Sequence, residues 1–89
     1  MAARTVKVEF FFAGGCSHCA QAREALREVA QFSPHVEWQE VDVGKNPLRA
    51  VDVGVAGTPA VAIDGELVFK SAPAPADLRS AIEARLGKG

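Results

Sequence analysis

The sequence predicts an α/β fold, a four-stranded mixed sheet with helices on both faces in the order βαβαββα, and three observations carry that prediction. Short β-branched and aromatic runs alternate with Ala-, Glu-, Arg- and Leu-rich stretches, the pattern of strand–helix–strand units. The first such unit wants a parallel crossover. Further on, Asp64-Gly65 separates two apolar runs. This is a two-residue hairpin signal, so the rest of the sheet must be antiparallel.

Each element follows from local chemistry. "TVKVEFFFA" (5–13) ends in Gly14-Gly15 and reads as a buried strand, apolar on both faces toward its carboxyl end. "SHCAQAREALREVAQF" (17–32) has charges at Arg23, Glu24, Arg27 and Glu28, which makes a helix with one wet face, closed by Ser33-Pro34. "HVEWQEVDV" (35–43) returns to strand character. "PLRAVDV" then reads as a short helix, with Pro47 in its first turn and Gly54 just past its end. "VAGTPAVAIDGELVFKS" supplies the two hairpin strands. In "APADLRSAIEARL" the residues Leu78, Ile82 and Leu86 recur at four-residue steps, as on one side of a helix. "VDVG" occurs at 41–44 and 51–54, but one copy ends a strand and the other a helix, so it marks no repeat. No linker divides the chain, and residues 1–89 are read as a single domain.

Composition narrows the function. The chain is 48% hydrophobic and 24% charged, as expected of an ordinary soluble protein and not of a disordered one. A formal net charge of -1 speaks against nucleic acid as a partner, since phosphate binding needs a basic excess. No apolar run approaches the ~20 residues of a membrane span. "VKVEFFFAGG" is broken by Lys7 and Glu9 and makes a poor signal-peptide core, so a cytoplasmic location is expected. Nothing suggests a large exposed seam, and a monomer is expected. The two cysteines, Cys16 and Cys19, are too few for a disulfide-stapled scaffold. A bridge between them would close so short a loop that it constrains the unfolded chain only slightly; it would be present for its chemistry.

Cys16 falls where the first strand feeds the first helix, at the carboxyl end of a strand, where such sheets usually place chemistry. With Cys16 at the N-cap, the first-turn amides lack backbone acceptors and point toward its sulfur. They and the helix dipole favour the thiolate, so Cys16 is expected to ionise below the ~8.5 of a free cysteine. Cys19 lies in line with Ala22, Leu26, Val29 and Ala30, so its sulfur faces inward. Cys16 is thus the accessible attacker and Cys19 the buried resolver of a thiol–disulfide exchange.

The Cys-x-x-Cys at a helix head in a βαβ context, followed by "GTPAVAIDGE" (57–66), resembles the thioredoxin-like redox proteins. Within them it is similar to the small thioredoxin/glutaredoxin-like proteins of bacteria and archaea, over about residues 5–86. The resemblance implies a thioredoxin-like fold and a disulfide oxidoreductase that exchanges electrons with protein or small-molecule disulfides. It needs no dissociable cofactor and no metal, and draws electrons from a reductase or a small thiol. It also implies that Pro59 follows a cis bond beside the disulfide and that Thr58 offers backbone hydrogen bonds to an extended substrate. Gly15 and Ser17 flank Cys16 and belong to the same substrate surface. His18 is similar in position to the histidine of Cys-Pro-His-Cys thiol oxidases. Such a group stabilises the reduced thiolate, which would place the potential between the ~ -270 mV of thioredoxin and the ~ -120 mV of a strong oxidant.

Departures from that pattern are equally legible. Thioredoxins carry Trp before the first cysteine and Gly-Pro between the two, where this chain has Gly15 and Ser17-His18. Their buried aspartate on the first strand is matched here by Phe10, and Glu9 points to the other face by strand alternation. "KSAPAPAD" (70–77) contains no Gly-Gly-Asp-type glutathione clamp. Two alternatives stand beside the oxidoreductase. One is a zinc- or copper-trafficking module using Cys16, Cys19, His18 and His35. The other is a redox-regulated binding domain without turnover. His35 and Trp38 are otherwise read as strand residues, and Asp42, Asp52 and Asp64 as helix, turn and strand-end residues not paired for acid–base work.

Overall fold

The computed structural model describes residues 5–87. The elements are β1 (Val6–Phe12), α1 (Ser17–Ala30), β2 (Val36–Asp42), α2 (Pro47–Val53), β3 (Ala60–Ile63), β4 (Glu66–Phe69) and α3 (Pro75–Arg85). The sheet order is β2-β1-β3-β4. β1 pairs in parallel with β2, from Val6 opposite Val36 to Phe12 opposite Asp42. It pairs antiparallel with β3, from Val8 opposite Ile63 to Phe11 opposite Ala60. β4 closes the sheet antiparallel to β3. At their turn Asp64 and Gly65 take φ of 54° and 83°, the two positive angles of a type I′ hairpin. Asp64 also holds the end of β1: its N–H donates to the Lys7 carbonyl at 2.8 Å, and its Oδ1 accepts from the Lys7 N–H at 3.0 Å.

Strand alternation sorts the core into two layers. On one face Val6, Val8, Phe10, Val61 and Ile63 pack against Cys19, Leu26 and Ala30 of α1 and Leu78 and Ile82 of α3. On the other, Phe11, Val41, Ala60 and Ala62 pack against Val43, Val53 and Val55 in and around α2, with Leu67 of β4. Trp38 joins the first layer by stacking on Phe10, with ring centroids 5.7 Å apart, and its indole N–H donates to Glu40 at 2.9 Å.

α1 ends at Ala30, short of the sequence reading to residue 32. Gln31 and Phe32 turn off through N–H bonds to the Arg27 and Val29 carbonyls. Phe32 is left half-exposed, covered by the Arg79 guanidinium 4.7 Å from its ring centroid. α2 is closed as expected by Gly54, whose left-handed φ of 92° brings its N–H back to the Ala50 and Val51 carbonyls. At the far end of α3, Arg85 reaches Glu66 and Asp64 and ties the helix to the hairpin.

Candidate active site

At the carboxyl end of β1 the chain must turn sharply from the central strand into α1. It does so through Ala13–Gly15, with the Cys16 N–H donating to the Ala13 carbonyl at 3.3 Å. Gly15 has φ 81°, a conformation that costs an L side chain roughly 1–2 kcal/mol. A Cβ at Gly15 would meet nothing within 4 Å. The backbone, and not lack of room, requires glycine, and the approach to Cys16 on this side is open.

Cys16 is the N-cap of α1, in extended conformation, and its carbonyl accepts the Cys19 N–H at 3.2 Å. Three residues of helix return nearly to the starting azimuth, so the side chains of Cys16 and Cys19 meet. They form a disulfide with a Cα–Cα distance of 5.3 Å. The two sulfurs differ in surroundings. Cys19 is 5% exposed within the apolar layer under α1 and α3, whereas Cys16 is only half-buried at the margin of that layer. In this disulfide form the Cys16 side chain makes no capping hydrogen bond to the first-turn amides. Ser17 and His18 project into solvent from the first turn.

The second half of the site comes from the loop that enters β3. Because Ala60 lies opposite Phe11, Pro59 falls at the end of β1, where the Cys16 loop begins. The Thr58–Pro59 peptide bond is cis. Among the described residues, neither the N–H nor the C=O of Thr58 takes part in a backbone hydrogen bond. A groove of about 190 Å³ opens beside it, lined by Val43, Ala50, Val55, Ala56, Gly57 and Thr58. No lining side chain is charged. Cys16, Cys19, Gly15, Ser17 and His18 are thus gathered at one end of the sheet, with Thr58 and Pro59 on the adjoining strand entry.

His35 lies apart from them. Its carbonyl accepts the Val6 N–H at the amino end of β1, a strand length of ~20 Å from the end that carries Cys16. Among the described residues no three His, Cys, Asp or Glu side chains come together as a metal-ligand set. Asp42 accepts the Gly44 N–H at 2.9 Å and shapes the turn after β2.

One polar feature escaped the sequence reading. Glu9, on the sheet face away from Cys19, is 2% exposed. Its carboxylate accepts from Arg49 Nε at 2.9 Å and Nη2 at 2.5 Å. The pair raises the Arg49 pKa above its ordinary value, chiefly through the hydrogen bond to Glu9, then through the charges of Glu9 and Asp52, against the opposing effect of burial. The signal was there: a carboxylate in the middle of an otherwise apolar central strand needs a cation. Which cation serves depended on the placement of α2.

Residues 4–83 match the family model described as Thioredoxin domain. The chain is 37% identical over 82 residues to the thioredoxin of Methanocaldococcus jannaschii, spanning 91% of this chain and 96% of that protein. It is 32% identical over 78 residues to a probable thioredoxin of Methanothermobacter marburgensis, covering 86% of this chain and 92% of the relative. Among solved structures, a thioredoxin variant from Halobacterium salinarum superposes with a TM-score of 0.83 at 23% identity, over 97% of this chain and 79% of that one. At that identity the likeness speaks to the fold.

Proposed function

Since the chain belongs to the thioredoxin family and is a thiol–disulfide oxidoreductase acting on protein disulfides with a reductase as partner, we propose that Cys16 is its attacking thiol and Cys19 its resolving thiol. The observation that carries this assignment is their unequal burial. In the reduced protein the Cys16 thiolate attacks one sulfur of a substrate disulfide. A Cys16–substrate disulfide forms, and the other substrate sulfur leaves as a thiolate that takes up a proton. The Cys19 thiolate then attacks Cys16 Sγ, the mixed disulfide breaks, and the second substrate thiol is released. Two electrons and two protons pass to the substrate, and the Cys16–Cys19 bond is left. The second step is intramolecular and fast, because α1 holds the two sulfurs together.

Thr58 and Pro59 form the substrate side of the site. The unpaired Thr58 backbone groups accept and donate hydrogen bonds to an extended segment around the substrate cysteine, and the uncharged groove takes an apolar side chain beside it. Gly15 and Ser17 leave the other approach clear. His18, one position from Cys19 and exposed, stabilises the reduced thiolate and raises the potential above that of a typical thioredoxin. The protein works as a monomeric single domain in the cytoplasm, and its electron donor is a protein reductase or a small thiol. No helix among the described residues is long and apolar enough to cross a membrane.

Trapping tests the assignment. Reduced Cys19→Ser protein mixed with oxidised insulin is expected to accumulate a covalent adduct through Cys16, visible by non-reducing electrophoresis and intact mass. Cys16→Ser is expected to give none. The reverse result would exchange the two roles. Titration in defined thiol/disulfide buffers tests His18: a midpoint at or below about -270 mV, or one unmoved in His18→Ala, would remove its role.

A further inference from the structure

We propose that Glu9 and Arg49 are positioning residues for the substrate groove: their bidentate ion pair, on the face of the sheet opposite the disulfide, sets where α2 stands and thereby the shape of the groove beside Thr58. The proposal rests on the reading of Thr58 and its groove as the substrate side of the site.

α2 is a poor candidate for holding itself in place. It has seven residues, too few to be stable alone. Leu48, its largest aliphatic side chain, and Val51 face water, at 79% and 73% exposure. Its apolar grip is limited to buried Ala50 and half-buried Val53. Against this, Glu9 and Arg49 join residues forty positions apart through two hydrogen bonds. The connection runs from the central strand, the most constrained element of the sheet, to the first turn of the helix.

The chemistry chosen is informative. A buried carboxylate is costly to desolvate, and a well-packed apolar pair often serves stability as well or better. What an arginine fork supplies, and an apolar contact does not, is direction: two parallel N–H···O bonds fix distance and orientation together. No buried side-chain nitrogen or oxygen among the described residues is left without a partner, so the pair is complete. Ala50, the next residue after Arg49, lines the groove together with Thr58. A rotation or slide of α2 therefore moves one groove wall while leaving Cys16 and Cys19, which are held by α1, where they are.

The test compares Arg49→Lys, which keeps the charge but loses the fork, with a Glu9→Leu/Arg49→Met double variant, which replaces the pair by apolar side chains. Both are assayed on insulin and on hydroxyethyl disulfide. For each variant, kcat/KM on insulin is expected to fall about three- to tenfold, mainly through KM. The rate on hydroxyethyl disulfide and the redox midpoint should stay at wild-type values. Wild-type kcat/KM on insulin in both variants would overturn the proposal. So would equal losses on both disulfides, a shifted midpoint, or an Arg49→Lys protein that does not fold, since the pair would then act on the thiols or on folding at large. Thr58→Arg, which obstructs the groove, separates the two levels. If it leaves insulin reduction intact, the groove reading itself falls. If it slows insulin reduction while both pair variants do not, only the positioning role falls.

Discussion

The two faces of the sheet are sealed by different means. Beneath α1 and α3 the seal is apolar throughout: Phe10, Leu26, Leu78 and Ile82 are fully buried there, and Cys19 sits among them. Beneath α2 the buried side chains are, Phe11 apart, smaller, and the Glu9–Arg49 pair is added to them. Apolar packing is non-directional and strong in sum; an arginine–carboxylate fork is directional and weak in net stability. The face that must hold a sulfur in a dry, fixed environment uses the first. The face that we propose shapes the substrate groove uses the second.

That contrast is open to breaking, and the thiols give the largest effect. Cys16→Ser is expected to lower the steady-state rate of insulin reduction by at least ~10³-fold, because the proposed attacking atom is gone, while a circular dichroism spectrum shows the fold retained. On the packed face, Leu26→Ala or Ile82→Ala should cost about 2–5 kcal/mol in urea unfolding. For a domain of this size that is a large share of total stability. At the junction of the two faces, Gly15→Ala should cost roughly 1–2 kcal/mol through backbone strain alone, read as a lower urea midpoint with an unchanged slope.

On the α2 face, Leu48→Ala and Val51→Ala should each change stability by less than ~0.5 kcal/mol, since both side chains already face water. A packed-face cost at either position would show that α2 buries more than its exposed residues indicate.

The α2 face also makes a pH prediction. The Arg49 pKa is raised in the folded protein. Its contribution is therefore complete below the unfolded value and is lost only as pH climbs through the higher folded one, in the strongly alkaline range. The difference in urea midpoint between wild type and the Glu9→Leu/Arg49→Met variant, which removes both partners and leaves no orphaned carboxylate, should thus stay flat between about pH 7 and 9. A steady decline over that interval would mean that another group carries the linkage.

Much of this protein follows from the sequence alone. The alternation of strand and helix composition, the Asp64-Gly65 turn and the glycine after α2 determine the element order, because each acts through backbone preferences a few residues long. The three-residue spacing of Cys16 and Cys19 brings their side chains together in the same local way. The direction of Glu9, away from the thiols, follows from strand alternation. Other features needed the assembled molecule. Helical periodicity could not stop α1 at Ala30, since Gln31 and Phe32 suit a helix as well as a turn. The separation of His35 from the cysteines is a matter of which end of the sheet each occupies. The choice of Arg49 as the partner of Glu9, and the groove between Ala50 and Thr58, depend on how α2 crosses the back of the sheet. These are long-range placements, set by the packing of elements far apart in sequence, and no local preference encodes them.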